Sequence, residues 1–499
     1  MSNTEYYRPE LHLTAEVGVL DAPAAVLLDG DTWHVFHQYR PDPAAPARWG
    51  HQFSEDTPYE WEECDDVLAP SAEEAKVRAG SIAAMENGLH LYFTSVTSQT
   101  DSEQSTQIHL AHIDNLPATT ADLSEDPLAL DPQVERLGAV VTDETGAEAG
   151  INNFRSPCVV PDWVTHEDRD EGHAGWLMLA VTGSMERPGL AMLHSDDGRT
   201  WQLQGALRFE GNTGIDPAAN IVSPRILRLR DEVDGEIHDV LLVTVEHEGV
   251  DISGYLVGQL HQAVFTVSSP FRRIDYGHDF TRPRNTTFTP GTMAEEERFD
   301  RAALVGQLNG IGRLDDPAKH LSLTAEGWAN AMSIPRVTTL QGGVLFQTPA
   351  AGLVEQITHT HSAQSWTGLC EVPEGSEITV ELLDAAGNLA TRVSHRGSTL
   401  VLDRSMNPHH QGDRPASADL AEGDSDSLTI IVDGSTVEVF ADGGAVSMAS
   451  RVYFEGGCSE IRVSESGQAS VERSFRRSAG SLDTSRLPDW AEEELDAEF

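Results

Sequence analysis

The sequence predicts an all-β protein, because short strand-like segments alternate with tight turns over the first 350 residues. Long amphipathic helical patterns are absent from the same stretch. Many short strands at near-regular spacing are typical of a propeller, a sandwich or a barrel.

Hairpin turns identify the first predicted strands. Asp29-Gly30-Asp31 and Glu86-Asn87-Gly88 are sequences that favour tight turns between antiparallel strands. Two predicted strand pairs flank these turns, Ala24–Leu28 with Trp33–Tyr39 and Ser81–Met85 with Leu89–Thr94. Further strands are predicted at Trp176–Val181, Leu190–His194, Arg225–Leu229, Val240–Val245 and Ala302–Leu308.

A weak internal repeat favours a propeller among these folds. Ser54-Glu55-Asp56 precedes Trp61, and Ser195-Asp196-Asp197 precedes Trp201, each after a predicted strand pair. A corner that closes a propeller blade would produce this pattern. The alternative is two unrelated Asx turns, each followed by a buried tryptophan.

A second unit is predicted from about Gln364 to Val471, where apolar and polar residues alternate strongly. Its strands are predicted at Ile378–Leu383, Ser398–Leu402, Leu428–Val432, Thr436–Phe440 and Ala445–Val452. The polar segment Met406–Ser427 reads as a loop, and Asp433-Gly434 as a hairpin turn. The unit is expected to be an antiparallel β-sandwich. We expect residues 1–350 to form the propeller and 351–475 the sandwich, followed by an acidic tail, 476–499, that is a frayed helix or disordered.

The charge of the chain excludes several classes of partner. Acidic residues outnumber basic ones 81 to 33, which gives a net charge of -48. Such a surface repels nucleic acid and anionic membranes. It also disfavours a phosphorylated sugar, unless arginines gather at the mouth of the pocket. The alternative is that the charge only keeps the protein soluble.

The cysteines and the start of the chain predict a cytoplasmic protein. The four cysteines, Cys64, Cys158, Cys370 and Cys458, are far apart and lack C-x-x-C spacing, which argues against a disulfide framework and a zinc site. The first residues lack the features of a secretory signal, and no apolar run is long enough to span a membrane. We expect neither a cofactor nor a metal. His409-His410 in a loop and His359-x-His361 in a predicted strand have no convincing ligand partners.

Eight short segments along the chain have the character of family motifs, namely Arg8–His12, Phe36–Pro41, Trp49–His51, Ala79–Ser81, Asp275–Phe280, Gly327–Ala329, Ile334–Arg336 and Ile431–Phe440. In the same order they resemble motifs of glycoside hydrolase family 32, the invertases, levanases and sucrose-6-phosphate hydrolases. The resemblance covers nearly the whole chain. It implies a five-bladed β-propeller followed by a C-terminal β-sandwich.

The three active-site motifs of that family, W-M-N-D-P-N-G, F-R-D-P and W-E-C-P, are altered in this chain. Aligned without gaps, the nucleophilic Asp falls on Ala22, the transition-state-stabilising Asp on Ser156, and the acid/base Glu on Val222. Retaining glycoside hydrolysis needs two carboxyl groups, one as nucleophile and one as acid/base. The resemblance therefore implies the fold of the family, while the aligned residues cannot supply its chemistry.

Two sources of a replacement carboxylate remain open. Asp21 lies one residue before the nucleophile position, and a bulge could turn it towards the pocket. In a regular strand it would face away and keep the polar role of the family's Asn or cap a turn. An acid from another blade, such as Asp216, Glu246 or Glu248, is the second source.

The resemblance also implies a set of sugar-binding residues, Gln38, Trp49, Ser81 and Arg155, that match positions lining the fructose subsite. Gln38 could bind a hydroxyl group, Trp49 could stack on a sugar ring, and Arg155 could fix a polar group. The alternative for Trp49 and Arg155 is a purely architectural role at the propeller centre.

Two functions remain at this point. One is a non-catalytic relative that binds sucrose, fructose or another small glycoside, as a sensor or as a partner of an active homologue. The other is a working glycosidase with relocated carboxylates, which would cleave β-D-fructofuranosides with retention.

Overall fold

The computed structural model describes residues 6–97, 105–121, 123–162, 174–294, 297–309, 319–421 and 426–483. Its N-terminal part is a five-bladed β-propeller and its C-terminal part a β-sandwich, as predicted. The main strands of each blade pair antiparallel in chain order, and one short strand, residues 208–210, joins the outer edge of the fourth blade in parallel.

The first three blades contain strands β1 to β12. They are β1 (Gly18–Asp29), β2 (Thr32–Arg40), β3 (Arg48–Glu55) and β4 (Glu62–Glu63); β5 (Lys76–Met85), β6 (Gly88–Val96), β7 (Thr106–Ile113) and β8 (Val134–Val141); and β9 (Arg155–Pro161), β10 (Trp176–Gly183), β11 (Pro188–Ser195) and β12 (Gln202–Ala206).

The last two blades contain strands β13 to β23. They are β13 (Arg208–Glu210), β14 (Asn220–Arg230), β15 (Ile237–His247), β16 (Val250–His261) and β17 (Val264–Arg273); and β18 (Phe280–Phe288), β19 (Ala302–Leu308), β20 (Trp328–Ala329), β21 (Ala331–Met332), β22 (Arg336–Gln341) and β23 (Val344–Pro349).

The inner strands β1, β5, β9, β14 and β18 form a ring around the propeller axis. Each contacts the inner strands of both neighbouring blades. The ring closes where β1 pairs in parallel with β18, for example Val26 opposite Thr286. The apolar core lies between adjacent blades, so that one buried cluster joins the first two blades and another joins the third and fourth.

The predicted hairpins and strands of this part are confirmed. The repeat is also a true blade feature. Ser54 and Ser195 end the third strands of their blades, and each serine Oγ accepts a hydrogen bond from an amide of the following turn. Trp61 and Trp201 stand immediately before the fourth strands β4 and β12.

Every inner strand carries an extra residue where it pairs with the next strand. In β1 the shift lies between Leu20 and Ala22, and in β14 between Val222 and Arg225. The other inner strands shift at the corresponding level. Ser156, Ser223 and Arg282 have φ angles of 51°, 52° and 50° at these bulges. A β-bulge redirects the side chains around it, and all five bulges surround the same end of the axis.

The sandwich has two antiparallel sheets, one ordered β31-β30-β29-β24-β33-β34 and the other β28-β27-β26-β25-β32. Its strands are β24 (Gln364–Glu371), β25 (Glu377–Asp384), β26 (Leu389–His395), β27 (Thr399–Asp403), β28 (Ala416–Asp419), β29 (Asp426–Asp433), β30 (Thr436–Ala441), β31 (Val446–Arg451), β32 (Cys458–Ser466), β33 (Ser470–Ser478) and β34 (Ser481–Asp483).

Three details of this region differ from the predictions. Strand β28 lies inside the segment predicted as a loop. Residues 476–483 form the end of β33 and β34, where the tail was expected to be helical or disordered, and 484–499 lie outside the described residues. His359 ends a helix, not a strand.

Helices are few and short among the described residues. The α-helices are α1 (Asp143–Gly146), α2 (Leu321–Glu326) and α3 (Leu353–His359), and 3-10 turns occur at Leu116–Thr119, Ala147–Ala149, Pro408–His410 and Asp442–Gly444. None of these described helices has the length and apolar character to cross a bilayer.

A buried charge network ties the propeller to the sandwich. Arg336 of β22 donates to Asp275 Oδ2 at 2.9 Å and to Glu438 Oε2 of β30 at 2.7 Å, with all three side chains buried. His12 lies 2.8 Å from Asp433 Oδ2 and 3.2 Å from Glu438 Oε1. Hydrogen bonds to these two carboxylates raise the pKa of His12 to about 9, although burial acts in the opposite direction.

A cationic cavity at the centre of the propeller

A cavity of about 610 Å³ opens at the end of the axis where the inner strands bulge. Its wall includes residues from all five inner strands, so the ring itself shapes the site. This size falls within the range that binds small molecules. The cavity is therefore the candidate functional site.

Ala22, Ser156 and Val222 come together in this cavity. They belong to the inner strands of the first, third and fourth blades. The amide of Ser156 donates to Thr94 Oγ1 at 2.9 Å, which anchors the bulge of β9 to the second blade. A methyl group, a hydroxyl group and an isopropyl group thus occupy the places where the resemblance implies three carboxylates.

Asp21 also lines the cavity, because it is the extra residue of the bulge in β1. Of the two alternatives for Asp21, the structure has the bulge, whereas in a regular strand the side chain would face away. Its carboxylate is held by Arg40, whose Nη2 lies 2.7 Å from Oδ1 and whose Nε lies 2.9 Å from Oδ2. Gln38 Nε2 adds a third contact at 3.3 Å.

Glu246 is the other carboxylate of the cavity wall among the described residues. It lies on β15, opposite Asn220 of β14. Burial and the nearby charge of Asp251 raise the pKa of Glu246, while Arg282 and Arg155 oppose that shift. The other two candidates, Asp216 and Glu248, are exposed and do not line the cavity.

The four predicted sugar-binding residues divide into two pairs. Gln38 and Arg155 line the cavity. Trp49 has 0% exposure, packs in the core between the first two blades and donates its indole N–H to the Arg78 carbonyl at 3.0 Å. Ser81 lies outside the cavity wall, and its Oγ accepts from the Val159 amide at 3.1 Å. A sugar cannot stack on Trp49, because no face of its ring is accessible. Of the two alternatives for Trp49, the structure supports the architectural role.

Basic residues dominate the polar part of the wall. Six basic side chains line it beside two acidic ones, namely Arg40, Lys76, Arg78, Arg155, Arg282 and Arg284 against Asp21 and Glu246. Sequence reasoning singled out only Arg155 from this set. A usable signal was present, since Ser156-Pro157, Ser223-Pro224 and Arg282-Pro283 mark the same bulge in three blades.

Arg284 of the fifth blade contacts the inner strands of both neighbouring blades. Its Nη1 donates to Ser223 Oγ of β14 at 3.1 Å, and its Nε donates to the Ala24 carbonyl of β1 at 3.3 Å. Burial, together with the charges of Arg225 and Arg282, lowers the pKa of Arg284 well below its usual value. Its guanidinium group therefore sits near other cations, largely shielded from water.

One cluster elsewhere has the spacing of metal ligands, although no metal site was expected. Ligand atoms of Asp231, Asp234 and His238 lie within 4.8 Å of one another. Asp231 accepts hydrogen bonds from the amides of Val233, Gly342 and Gly343. These bonds give Asp231 a structural role in the turn between β14 and β15.

Comparisons with known proteins place the chain in a family. The profile described as "Glycosyl hydrolases family 32 N-terminal domain" matches residues 12–349, and "Glycosyl hydrolases family 32 C terminal" matches residues 359–477. The sucrose-6-phosphate hydrolase of Bacillus subtilis is 24% identical over 500 residues, which cover 94% of each chain.

Solved structures show the same fold. A Bombyx mori family 32 β-fructofuranosidase variant in complex with sucrose superposes with a TM-score of 0.69 at 19% identity, covering 95% of this chain and 94% of the other. A Schwanniomyces occidentalis fructofuranosidase variant complexed with fructosylnystose gives a TM-score of 0.72 at 16% identity, covering 97% and 99%. With both profiles matched in order along a propeller and a sandwich, this chain belongs to glycosyl hydrolase family 32.

Proposed function

We propose that this protein binds a small sugar or fructoside in the central cavity and does not hydrolyse glycosidic bonds. The observation that carries the proposal is the joint position of Ala22, Ser156 and Val222 in one cavity of a family 32 fold. Structures of family members in complex with sucrose and with fructosylnystose support a sugar as the ligand class.

The side chains at these positions cannot perform the two chemical steps. A methyl group cannot form a glycosyl ester, and an isopropyl group has no proton to donate to the leaving oxygen. Loss of general acid catalysis alone costs about 10²–10⁴ in rate. Loss of the nucleophile as well leaves little besides binding.

The two remaining carboxylates of the described wall, Asp21 and Glu246, have different surroundings. Retaining enzymes hold two carboxyl groups about 5–5.5 Å apart, and carboxylates at that distance perturb each other strongly. The charges that act on Glu246 are Asp251, Arg282 and Arg155, whereas Asp21 is bound by Arg40. Their separate surroundings support a binding role over a hydrolytic one.

The test compares hydrolysis with binding in the same protein preparation. Release of reducing sugar from sucrose, raffinose and inulin is measured for the wild type beside an Ala22→Asp, Ser156→Asp, Val222→Glu variant. Calorimetric titration with fructose and sucrose follows on the wild type. The proposal predicts no release above the level of heat-denatured protein, with a measurable binding isotherm for at least one sugar.

A hydrolase with relocated carboxylates is the second candidate, and one observation favours it. Glu246 lines the cavity with a raised pKa, which is the profile of a general acid, and the bulge brings Asp21 to the same wall. This candidate predicts turnover by the wild type that Asp21→Ala and Glu246→Gln each abolish. Turnover unaffected by both variants would point to a contaminating enzyme.

We also propose that the protein works in the cytoplasm. All four cysteines are free thiols, and Cys158 and Cys370 are buried. Reduced thiols are usual in that compartment. Fractionation of the native cells with an antibody against the protein tests this, and recovery from the medium would contradict it.

A further inference from the structure

We propose that the ligand of the central cavity is anionic, a small sugar whose carboxylate, sulfate or phosphate group is held between Arg155 and Arg284. The inference rests on the proposed binding function and adds the chemical class of the ligand. In this arrangement the ligand supplies the negative charge at the position where the family motifs would supply carboxylates of the protein.

The charge of the wall is opposite to that of the chain. Acidic residues outnumber basic ones 81 to 33 overall, yet the cavity wall has six basic side chains and two acidic ones. Two of the basic residues are in ion pairs: Arg40 with Asp21 at 2.7 Å, and Arg282 with Asp251 at 3.1 Å. An electropositive pocket inside a strongly negative molecule concentrates field lines and attracts anions selectively to that point.

Arg155 and Arg284 are the most buried of these cations. Arg155 is 5% exposed and Arg284 is 3% exposed, and both contribute to the cavity wall. Among the described residues neither forms an ion pair. Arg155 donates to the carbonyls of Asn153, Gly183 and Ser184, at 3.0, 2.6 and 3.1 Å. These bonds to the backbone fix the guanidinium groups before a ligand arrives, which lowers the entropy cost of binding.

Burial of these cations is unfavourable in the empty protein. Desolvation lowers the pKa of Arg155 to about 10, and the charge of Arg78 acts in the same direction. A buried charge without a counter-ion is costly, and an anion placed beside it removes part of that cost. Arginine also offers a planar donor set that matches carboxylate, sulfate and phosphate oxygens.

The three substituted positions contribute to the same property. Carboxylates at positions 22, 156 and 222 would line the wall that Arg155 and Arg284 share. Their ion pairs would neutralise the arginines and exclude an anion. Ala22, Ser156 and Val222 leave Glu246 as the carboxylate of the described wall that acts on Arg155, so a single change of ligand charge accounts for all three residues.

The test measures binding by calorimetry at low and high salt, with each neutral sugar beside its anionic counterpart. The probes are fructose with fructose 6-phosphate, and glucose with glucuronate, while inorganic phosphate and sulfate separate the anion from the sugar. Arg155→Gln and Ser156→Asp are the test variants. Arg208→Gln is the matched control, because Arg208 is exposed on β13 and does not line the cavity.

At least one anionic sugar should bind about tenfold or more tightly than its neutral counterpart. A single charge-assisted hydrogen bond accounts for a difference in affinity of this size. Both test variants should weaken that binding by a similar factor, and Arg208→Gln should leave it unchanged. Added salt should weaken binding to the wild type. Competition by phosphate or sulfate would assign the affinity to the anionic group.

Two other results overturn the inference. Neutral sugars that bind as tightly as their anionic counterparts would refute it and leave the proposed binding function intact. Anion binding that Arg208→Gln reduces as much as Arg155→Gln would show nonspecific attraction. Hydrolysis of the probes is measured separately by release of reducing sugar, so failure of the non-hydrolytic proposal is recognised independently of ligand charge.

Discussion

Asp21 and Arg40 form an ion pair in the wall of the cavity. The Asp21 side chain is 11% exposed and that of Arg40 is 23% exposed, so the pair is partly shielded from water. A bidentate arginine–carboxylate contact has better geometry than an ordinary surface ion pair. Asp21 therefore shapes the cavity wall and fixes Arg40.

We predict that Asp21→Asn lowers the free energy of unfolding by about 1–2 kcal/mol, because the charge-assisted bonds to Arg40 are lost. Urea denaturation followed by fluorescence measures this. Asp196→Asn is the control, since the Asp196 side chain is 96% exposed and should change stability little. Equal effects of the two substitutions would show that the Asp21–Arg40 pair adds no stability.

At this scale the sequence predicts the neighbourhood of the cavity better than the direction of each side chain. Gln38 and Arg155 line the cavity, whereas Trp49 belongs to the core between blades. The accessibility of Trp49 depends on packing against Phe93 of the next blade, with ring centroids 6.3 Å apart. Such a contact between distant segments is invisible in a local motif.

The bulged inner strands are the elements that build the site. Their bulges present residues of all five blades to one end of the axis. Three of them hold a non-glycine residue at positive φ, which is costly for most side chains. The surrounding pairing imposes this strain at the cavity wall.

We predict that Ser156→Val destabilises the fold by about 1–3 kcal/mol, because a β-branched side chain tolerates positive φ poorly at Ser156 (φ 51°). Ser156→Gly should be neutral or stabilising by less than about 1 kcal/mol. Thermal unfolding of both variants is the measurement. Both lack the hydroxyl group, so a difference between their melting temperatures reports the cost of the backbone conformation. Equal melting temperatures would contradict the strain at this bulge.

The hairpins were predictable from the sequence, whereas the bulge at Asp21 was not. Asp29-Gly30-Asp31 contains its own turn signal, and Gly30 adopts a φ of 58°. The bulge at Asp21 depends instead on the register that β1 adopts against β2. Register is decided by the partner strand, so Asp21 had to be assigned by the structure.

At the scale of the whole molecule, the buried charges between the propeller and the sandwich should make stability depend on pH. His12 has its folded pKa raised from 6.5 to about 9 by Asp433 and Glu438. A raised pKa stabilises the folded state fully below the unfolded value of 6.5, and this contribution disappears as the pH rises through about 9. The contribution is on the order of 3 kcal/mol.

Unfolding by urea at pH values from 6 to 10 should therefore show a loss of stability across this window. In His12→Gln the loss should be much smaller, although the variant is less stable throughout because Asp433 and Glu438 lose a partner. Parallel pH profiles for the two proteins would contradict the role of His12.

The global fold was the most predictable level. Alternation in the sandwich, hairpins in the blades and the repeated Trp61 and Trp201 corners all follow from local patterning. The charge of the cavity was not predictable, since its basic residues come from strands that lie far apart in sequence. Only closure of the propeller brings Arg155 of the third blade and Arg284 of the fifth blade to one wall.

The proposed non-catalytic function requires that the cavity of this family 32 fold lack a working carboxylate pair. Release of reducing sugar from sucrose by the purified wild type, beside Asp21→Ala and Glu246→Gln, tests it most directly. The account predicts that all three proteins release no more than a heat-denatured sample. Turnover by the wild type that either substitution abolishes would contradict it.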